Sequence, residues 1–275
     1  MKLVIQISSS GVEHEPALRQ FAKVVSQLVS EGHRITIVFS RGNAILKTKS
    51  ALHECSYCTQ KNHLNGNGTQ AAVNGEMHNA TLPLLTERAS APLVAILSGV
   101  GVAAFGLCGA DGHILRVRKL NGHAGQAWGA EVAAVDPFWL DIISNSKGVP
   151  VVENAGLGAD QNCYTLDPDQ MAGAFAIGWN VDALIFLTTA EGLTNADGSV
   201  VRWLEAERLM ELTKRSAIAQ EMLSKLQACR HALKHGVRRA RVLPVSQVES
   251  LAMFYVSRIE CGTEVIEAAG KTASA

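Results

Sequence analysis

Net charge is what this sequence has least of: 25 basic residues offset 25 acidic ones over 275 residues. A neutral chain sets up no long-range field toward nucleic acid or an anionic membrane, so neither is expected as a partner. A secretory leader signature is missing as well. Met1-Lys2-Leu3-Val4-Ile5 passes straight into polar Gln6-Ile7-Ser8-Ser9-Ser10, with no long apolar run and no small-residue cleavage site. Ala91 to Ala110 is uncharged over about 20 residues, the length that crosses a bilayer, but Pro92, Ser98, Gly99, Gly101, Gly106 and Gly109 punctuate it. A helix end, a turn and a buried strand are expected there instead of a membrane span. Six cysteines without a leader point to a reducing compartment, with free thiols or a metal site in place of a disulfide framework. The cytoplasm is the expected location. Neither a repeat nor a low-complexity tract is present, and Ser8-Ser9-Ser10 lacks the Gly-x-Ser-x-Gly elbow of a serine nucleophile.

What is present is enough apolar material, 47% of residues, to bury a large core, and one domain over residues 1–275 is the default. Short β-branched runs read as strands: Leu3 to Ile5, Ile35 to Phe39, Val102 to Leu107, Pro150 to Val152, Ala183 to Leu187 and Ala240 to Leu243. Helix-periodic segments alternate with them, over Glu15 to Ser30, Asp136 to Ser146, Pro168 to Gly178, Leu204 to Thr213, Ile218 to Lys234 and Val245 to Val256. This alternation predicts a mainly parallel sheet covered on both faces. Two regions break it. Residues 50–77 form a polar excursion rich in Asn, Gly, His and Cys, and Asp111 to Trp128 reads as a β-hairpin through Asp111-Gly112 and Asn121-Gly122.

In open α/β sheets, ligands gather outside the carboxyl ends of the strands, where helix N-termini present backbone N–H groups to anions. The strand exits here are Gln6-Ile7-Ser8-Ser9-Ser10-Gly11, Phe39-Ser40-Arg41-Gly42-Asn43 and Leu187-Thr188-Thr189-Ala190-Glu191-Gly192-Leu193. With Leu107 to Gly112, Leu166 to Gly173, Glu221 to Leu226 and Cys261 to Ile266, in that order, they resemble the amino-acid kinase family, and within it the acetylglutamate kinases. The resemblance spans nearly the whole chain except the excursion. It implies a three-layer αβα sandwich with a substrate and phosphate-side lobe over 1–160 and a nucleotide-side lobe over 161–275. It further implies ATP and Mg as cofactors, a homo-oligomer, and transfer of the γ-phosphoryl of ATP to a carboxylate of a free or acylated amino acid. Such transfer is mainly positioning and charge neutralisation.

On that resemblance Asp169 falls on the family's organising aspartate and Lys225 on its second lysine, in a matching Met-x-x-Lys context. Thr188 and Gly192 stand in the nucleotide-side loop, ahead of a hairpin at Asn195-Ala196-Asp197-Gly198. The phosphate-gripping set of the first half departs from the pattern. Gln6 replaces the first lysine, Ser8 and Ser9 replace paired glycines, and Phe39-Ser40-Arg41-Gly42 replaces a His-Gly-Gly-Gly turn. Arg41 is then the substitute cation, with Ser8, Ser9 and Gly42 as altered phosphate contacts. The arginine expected on the substrate carboxylate, near Ala71 to Val73, has no counterpart.

Within the excursion, His53, Cys55, Cys58 and His63 offer four ligands that suit tetrahedral zinc, although the same residues also read as a polar surface loop with reduced thiols. His231 and His235, four apart on a helix, lie among Arg230, Lys234, Arg238 and Arg239 and read as a solvated basic face. Cys108, Cys163, Cys229 and Cys261 read as packed thiols. Three functions stand: a phosphotransferase organised by Asp169 and Lys225, a degenerate homologue that binds a nucleotide or metabolite or acts as a regulatory subunit without transfer, and a zinc-stabilised lid or partner loop at 50–77.

Overall fold

The computed structural model describes residues 1–8, 15–40, 90–120, 130–160, 163–209, 211, 218–253 and 261–267. In chain order these form β1 (Lys2–Ser8), α1 (Glu15–Ser30), β2 (Arg34–Ser40), α2 (Ala91–Gly99), β3 (Ala103–Cys108), β4 (Leu115–Lys119), β5 (Ala130–Val135), α3 (Phe138–Asn145), β6 (Gly148–Glu153), β7 (Ala155–Gly158), β8 (Cys163–Thr165), α4 (Pro168–Gly178), β9 (Ala183–Thr188), β10 (Trp203–Glu205), α5 (Gln220–Lys234), β11 (Arg239–Pro244) and β12 (Thr263–Ile266). Eight strands make the main sheet in the order β10-β12-β11-β9-β1-β2-β6-β3, parallel throughout except where β12 runs against β11. β5-β4-β7-β8 form a second sheet, whose Leu115, Val117, Ala130 and Tyr164 share a core with Val4, Val38 and Val152 of the main one.

The side chains of β1 sort to the two faces by simple alternation. Leu3, Ile5 and Ile7 join a core under α1 and α2, which includes Leu18, Phe21, Val25, Leu93 and Leu97. Val4, with Val38, Val152, Leu184 and Phe186, faces the opposite core of α4 and α5, built on Met171, Phe175, Trp179, Leu226 and Cys229. Helices on both faces of a mostly parallel sheet make the three-layer αβα sandwich expected of the sequence. Ala91 to Ala110 becomes α2 followed by the edge strand β3, and among the described residues no helix is long and apolar enough to cross a membrane.

Four local expectations are corrected. Leu204 and Glu205 lie in β10, where pairing with β12 overrides the helical periodicity expected from Leu204. Val245–Met253 is a 3-10 helix kinked at Gln247, not an α-helix. Asp111-Gly112 sits in a 3-10 turn, Asp111–His113, where the Asp111 carboxylate accepts from the Cys108 N–H at 2.8 Å; β4 and β5 pair antiparallel, and Asn121-Gly122 between them lies outside the described residues. The edge strand β3 is only partly buried, since nothing pairs with its outer side among the described residues.

α4 packs on α5 at Gly173. A Cβ at Gly173 would stand 3.5 Å from the Ala228 Cβ, an ordinary van der Waals contact. Gly173→Ala is therefore expected to hold or raise stability by roughly 0.5–1 kcal/mol, since it removes a mid-helix glycine. Gly173→Leu forces the helices apart and should cost roughly 1–3 kcal/mol or more. Urea denaturation of the two variants measures both, and a tolerated leucine would contradict the crossing.

Candidate functional site

α4 starts at Pro168, the one position where proline's missing N–H costs nothing, and Asp167 caps it. The Asp167 carboxylate accepts from the N–H groups of Asp169 at 2.8 Å and Gln170 at 3.2 Å, and the Ser224 hydroxyl of α5 donates to it at 3.2 Å. One residue thus fixes the helix start and ties it to the neighbouring helix.

That tie places Asp169 against Lys225. The ammonium donates to both carboxylate oxygens at 3.2 Å, and the two residues are 3% and 4% exposed. Glu221, one turn earlier on α5, lies 3.3 Å from the same ammonium but is mostly exposed. Burial raises the Asp169 carboxyl from its ordinary 3.8 to about 6; Lys225 counteracts this, while Asp167 and Glu221 add to it. Neighbouring Cys229 is wholly buried, and desolvation, with Asp169's charge, pushes its thiol far up and makes it unreactive, as expected of a packed thiol.

α4 packs over β1, β2 and β9. Its C-terminal end lies by the start of β1, where Lys2 Nζ reaches the Trp179 carbonyl at 3.3 Å and sits over the Trp179 ring. Its first turn consequently lies toward the carboxyl ends of these strands, with Gln6, Ser8 and Thr188. Thr188 is buried and its hydroxyl accepts from the Ala190 N–H at 3.3 Å. Gly192 adopts φ +132, and a Cβ there would stand 2.8 Å from Thr263 Oγ1, which accepts from the next N–H, that of Leu193. A glycine is needed there for backbone reasons before any ligand is considered. Asn195 to Ser199 closes the expected hairpin through the Asn195 N–H to Ser199 carbonyl bond and the Thr194–Val200 bridge.

Asp169, Lys225, Thr188 and Gly192 are therefore accounted for, and the first two are brought together. Ser8 ends β1 in register with Ser40. Ser9, Arg41 and Gly42 lie outside the described residues, as do His53, Cys55, Cys58 and His63. Among the described residues no group of three or more His, Cys, Asp or Glu could hold a metal ion. The His231 and His235 rings lie 4.3 Å apart between centroids, tilted by 53°, with no third ligand among the described residues. Sequence reasoning missed Asp167 and Glu221. Both left a signal, an Asp-Pro helix start and a carboxylate four residues before a lysine. It also missed Glu153, buried at the end of β6, whose carboxylate accepts from the Ser90 N–H and hydroxyl at 3.0 and 2.8 Å and anchors the start of α2. Nothing local in the sequence announces that contact across 63 residues.

A family model for the amino acid kinase family matches residues 1–244. Acetylglutamate kinase of Acidobacterium capsulatum is 35% identical over 97% of this chain and 99% of its own, and that of Koribacter versatilis is 31% identical over the same shares. N-acetylglutamate synthase from Neisseria gonorrhoeae, solved with coenzyme A and N-acetyl-glutamate, superposes with a TM-score of 0.77 at 18% identity, covering 98% of this chain. This chain spans 60% of that protein's length. Isopentenyl phosphate kinase of T. acidophilum gives 0.62 at 13% identity over 97% of this chain and all of its own.

The buried pair carries two expectations. Because Asp169 is raised to about 6, its contribution to stability is fully present below its unfolded 3.8 and falls as pH climbs to about 6, then stays level. Asp169→Asn should flatten that part of a stability profile measured by denaturation between pH 3.5 and 7; an unchanged slope would contradict the assignment. Lys225→Met should cost roughly 3–5 kcal/mol by leaving a buried carboxylate unpaired, and adding Asp169→Leu should recover part of it. Simple additivity in the double variant would rule out the coupling.

Proposed function

The chain belongs to the amino acid kinase family, and we propose that it is an ATP-dependent phosphotransferase acting on a carboxylate of an amino-acid-like substrate, with N-acetyl-L-glutamate as the first candidate. The observation that carries this reading is the buried Asp169–Lys225 pair at the carboxyl ends of the strands, in a chain that aligns end to end with acetylglutamate kinases. In this reading the γ-phosphorus of ATP is attacked by a carboxylate oxygen, the bond to the β-phosphate oxygen breaks, and an acyl phosphate and ADP result. Mg-bound ATP supplies the transferable phosphoryl with part of its charge already neutralised.

The residues fit such a ligand. Lys225 has three N–H donors, of which Asp169 engages two oxygens in the interior while the exposed Glu221 holds its charge only through a screened contact. A nucleotide phosphate can take the place of Glu221 at that ammonium without disturbing the buried pair. Asp169 then acts as a positioning residue that fixes the lysine, and the N–H groups near Thr188 and Gly192 bound the nucleotide side. Arg41, Ser8, Ser9 and Gly42 complete the phosphate side in the same reading. The division into a substrate lobe over 1–160 and a nucleotide lobe over 161–275, assembly as a homo-oligomer and a cytoplasmic setting belong to it as well.

One observation favours a second reading, a homologue that binds without transferring. Gln6, neutral and 1% exposed, occupies the place where the resemblance puts a cation on the transferring phosphoryl. Loss of one such preorganised contact costs roughly two to three orders of magnitude in rate. ADP release measured with ATP–Mg and N-acetyl-L-glutamate, beside calorimetric titration of ATP–Mg, separates the two. Turnover that requires the acyl amino acid is expected; ATP binding with no ADP release in the presence of any acidic amino-acid derivative would favour the second reading.

A further inference from the structure

Gln6 is the most anomalous side chain of the main sheet. It lies in β1 between Val38 of β2 and Phe186 of β9, both core residues of the α4 face, and alternation with Val4 turns it to that same face. It is 1% exposed, and among the described residues neither its amide nitrogen nor its amide oxygen has a hydrogen-bond partner. Both ends of the amide are orphaned, so exchanging oxygen and nitrogen changes nothing. Buried amides are almost always satisfied, and one that is not destabilises the free protein. An apolar residue would suit the gap between Val38 and Phe186 better, so the folded chain alone gives no reason for the carboxamide.

Its place supplies one. α4 runs antiparallel to β1, since Trp179 at its end touches Lys2, so the first turn with Asp169 lies toward the strand end that Gln6 occupies. We propose that Gln6 is a substrate-contacting, specificity-determining residue, and that the group it meets is neutral and both donates and accepts, as the amide of an N-acylated amino acid does. This rests on the phosphotransferase reading above. An ionised phosphate or carboxylate offers acceptors only; it would satisfy the Gln6 N–H groups but set the amide oxygen against negative charge. An amide N–H and carbonyl satisfy both ends. A site built to hydrogen-bond a polar group rejects the analogue that lacks it, because its own buried groups are then left unpaired.

The test compares N-acetyl-L-glutamate with glutarate, which keeps the two carboxylates and lacks the acylamino group, by calorimetry in the presence of the non-hydrolysable analogue AMP-PNP with Mg. Wild-type protein is expected to prefer N-acetyl-L-glutamate by tenfold or more. Gln6→Leu, with Gln6→Met as a second variant of different shape, is expected to reduce that preference to within about threefold while the Tm of the free protein does not fall. A variant that keeps the full preference overturns the inference and leaves the phosphotransferase reading standing. A wild type that binds both acids equally does the same without any variant. A wild type that binds neither acid overturns the inference and removes N-acetyl-L-glutamate as the candidate substrate of the phosphotransferase reading.

Discussion

The site depends on holding an ammonium and a carboxylate out of water at the crossing of two helices. Desolvating two charges is costly, and the cost is offset only where the geometry is close and the remaining donors are met. Here the crossing of α4 and α5 at Gly173 and Ala228 allows the approach, the Asp167–Ser224 bond sets the helices' relative position, and Asp169 meets Lys225 with both oxygens at 3.2 Å. Raising the Asp169 carboxyl to about 6 is the residual sign of that cost. The pair leaves one face of the ammonium toward the exposed Glu221.

How far this was legible in the sequence varies with the range of the interaction responsible. α4 is bounded as expected, at Pro168 and Gly178, because its cap and its proline are local chemistry. β1, β2, β9 and β11 follow from apolar β-branched runs for the same reason. The helix expected from Leu204 begins instead as β10, because pairing to β12 some 60 residues later decides it. The second sheet, with β7 and β8, and the buried Glu153–Ser90 contact likewise depend on partners that no short pattern names. Asp169 and Lys225 each read alone as an ordinary surface charge on a helix. Only their order in a familial pattern joined them, and their burial could not be read at all.

The two halves of the site differ in kind. One side holds a buried cation, a glycine at φ +132 and a hydroxyl tied to its own loop. The β1 side carries an uncharged amide whose hydrogen bonds are unmade among the described residues. On the proposed function, such a site relies more on hydrogen-bond complementarity and less on Coulombic attraction, so discrimination between substrates should exceed what charge alone provides. The fold is untouched by this change, since Gln6 holds the same register as its apolar neighbours.

On the proposed function, this arrangement makes an acyl phosphate. Incubation with ATP–Mg and N-acetyl-L-glutamate in the presence of hydroxylamine would trap that product as a hydroxamate. Hydroxamate that requires ATP and disappears in Lys225→Met is expected; ATP bound to the protein with no hydroxamate formed would exclude acyl transfer.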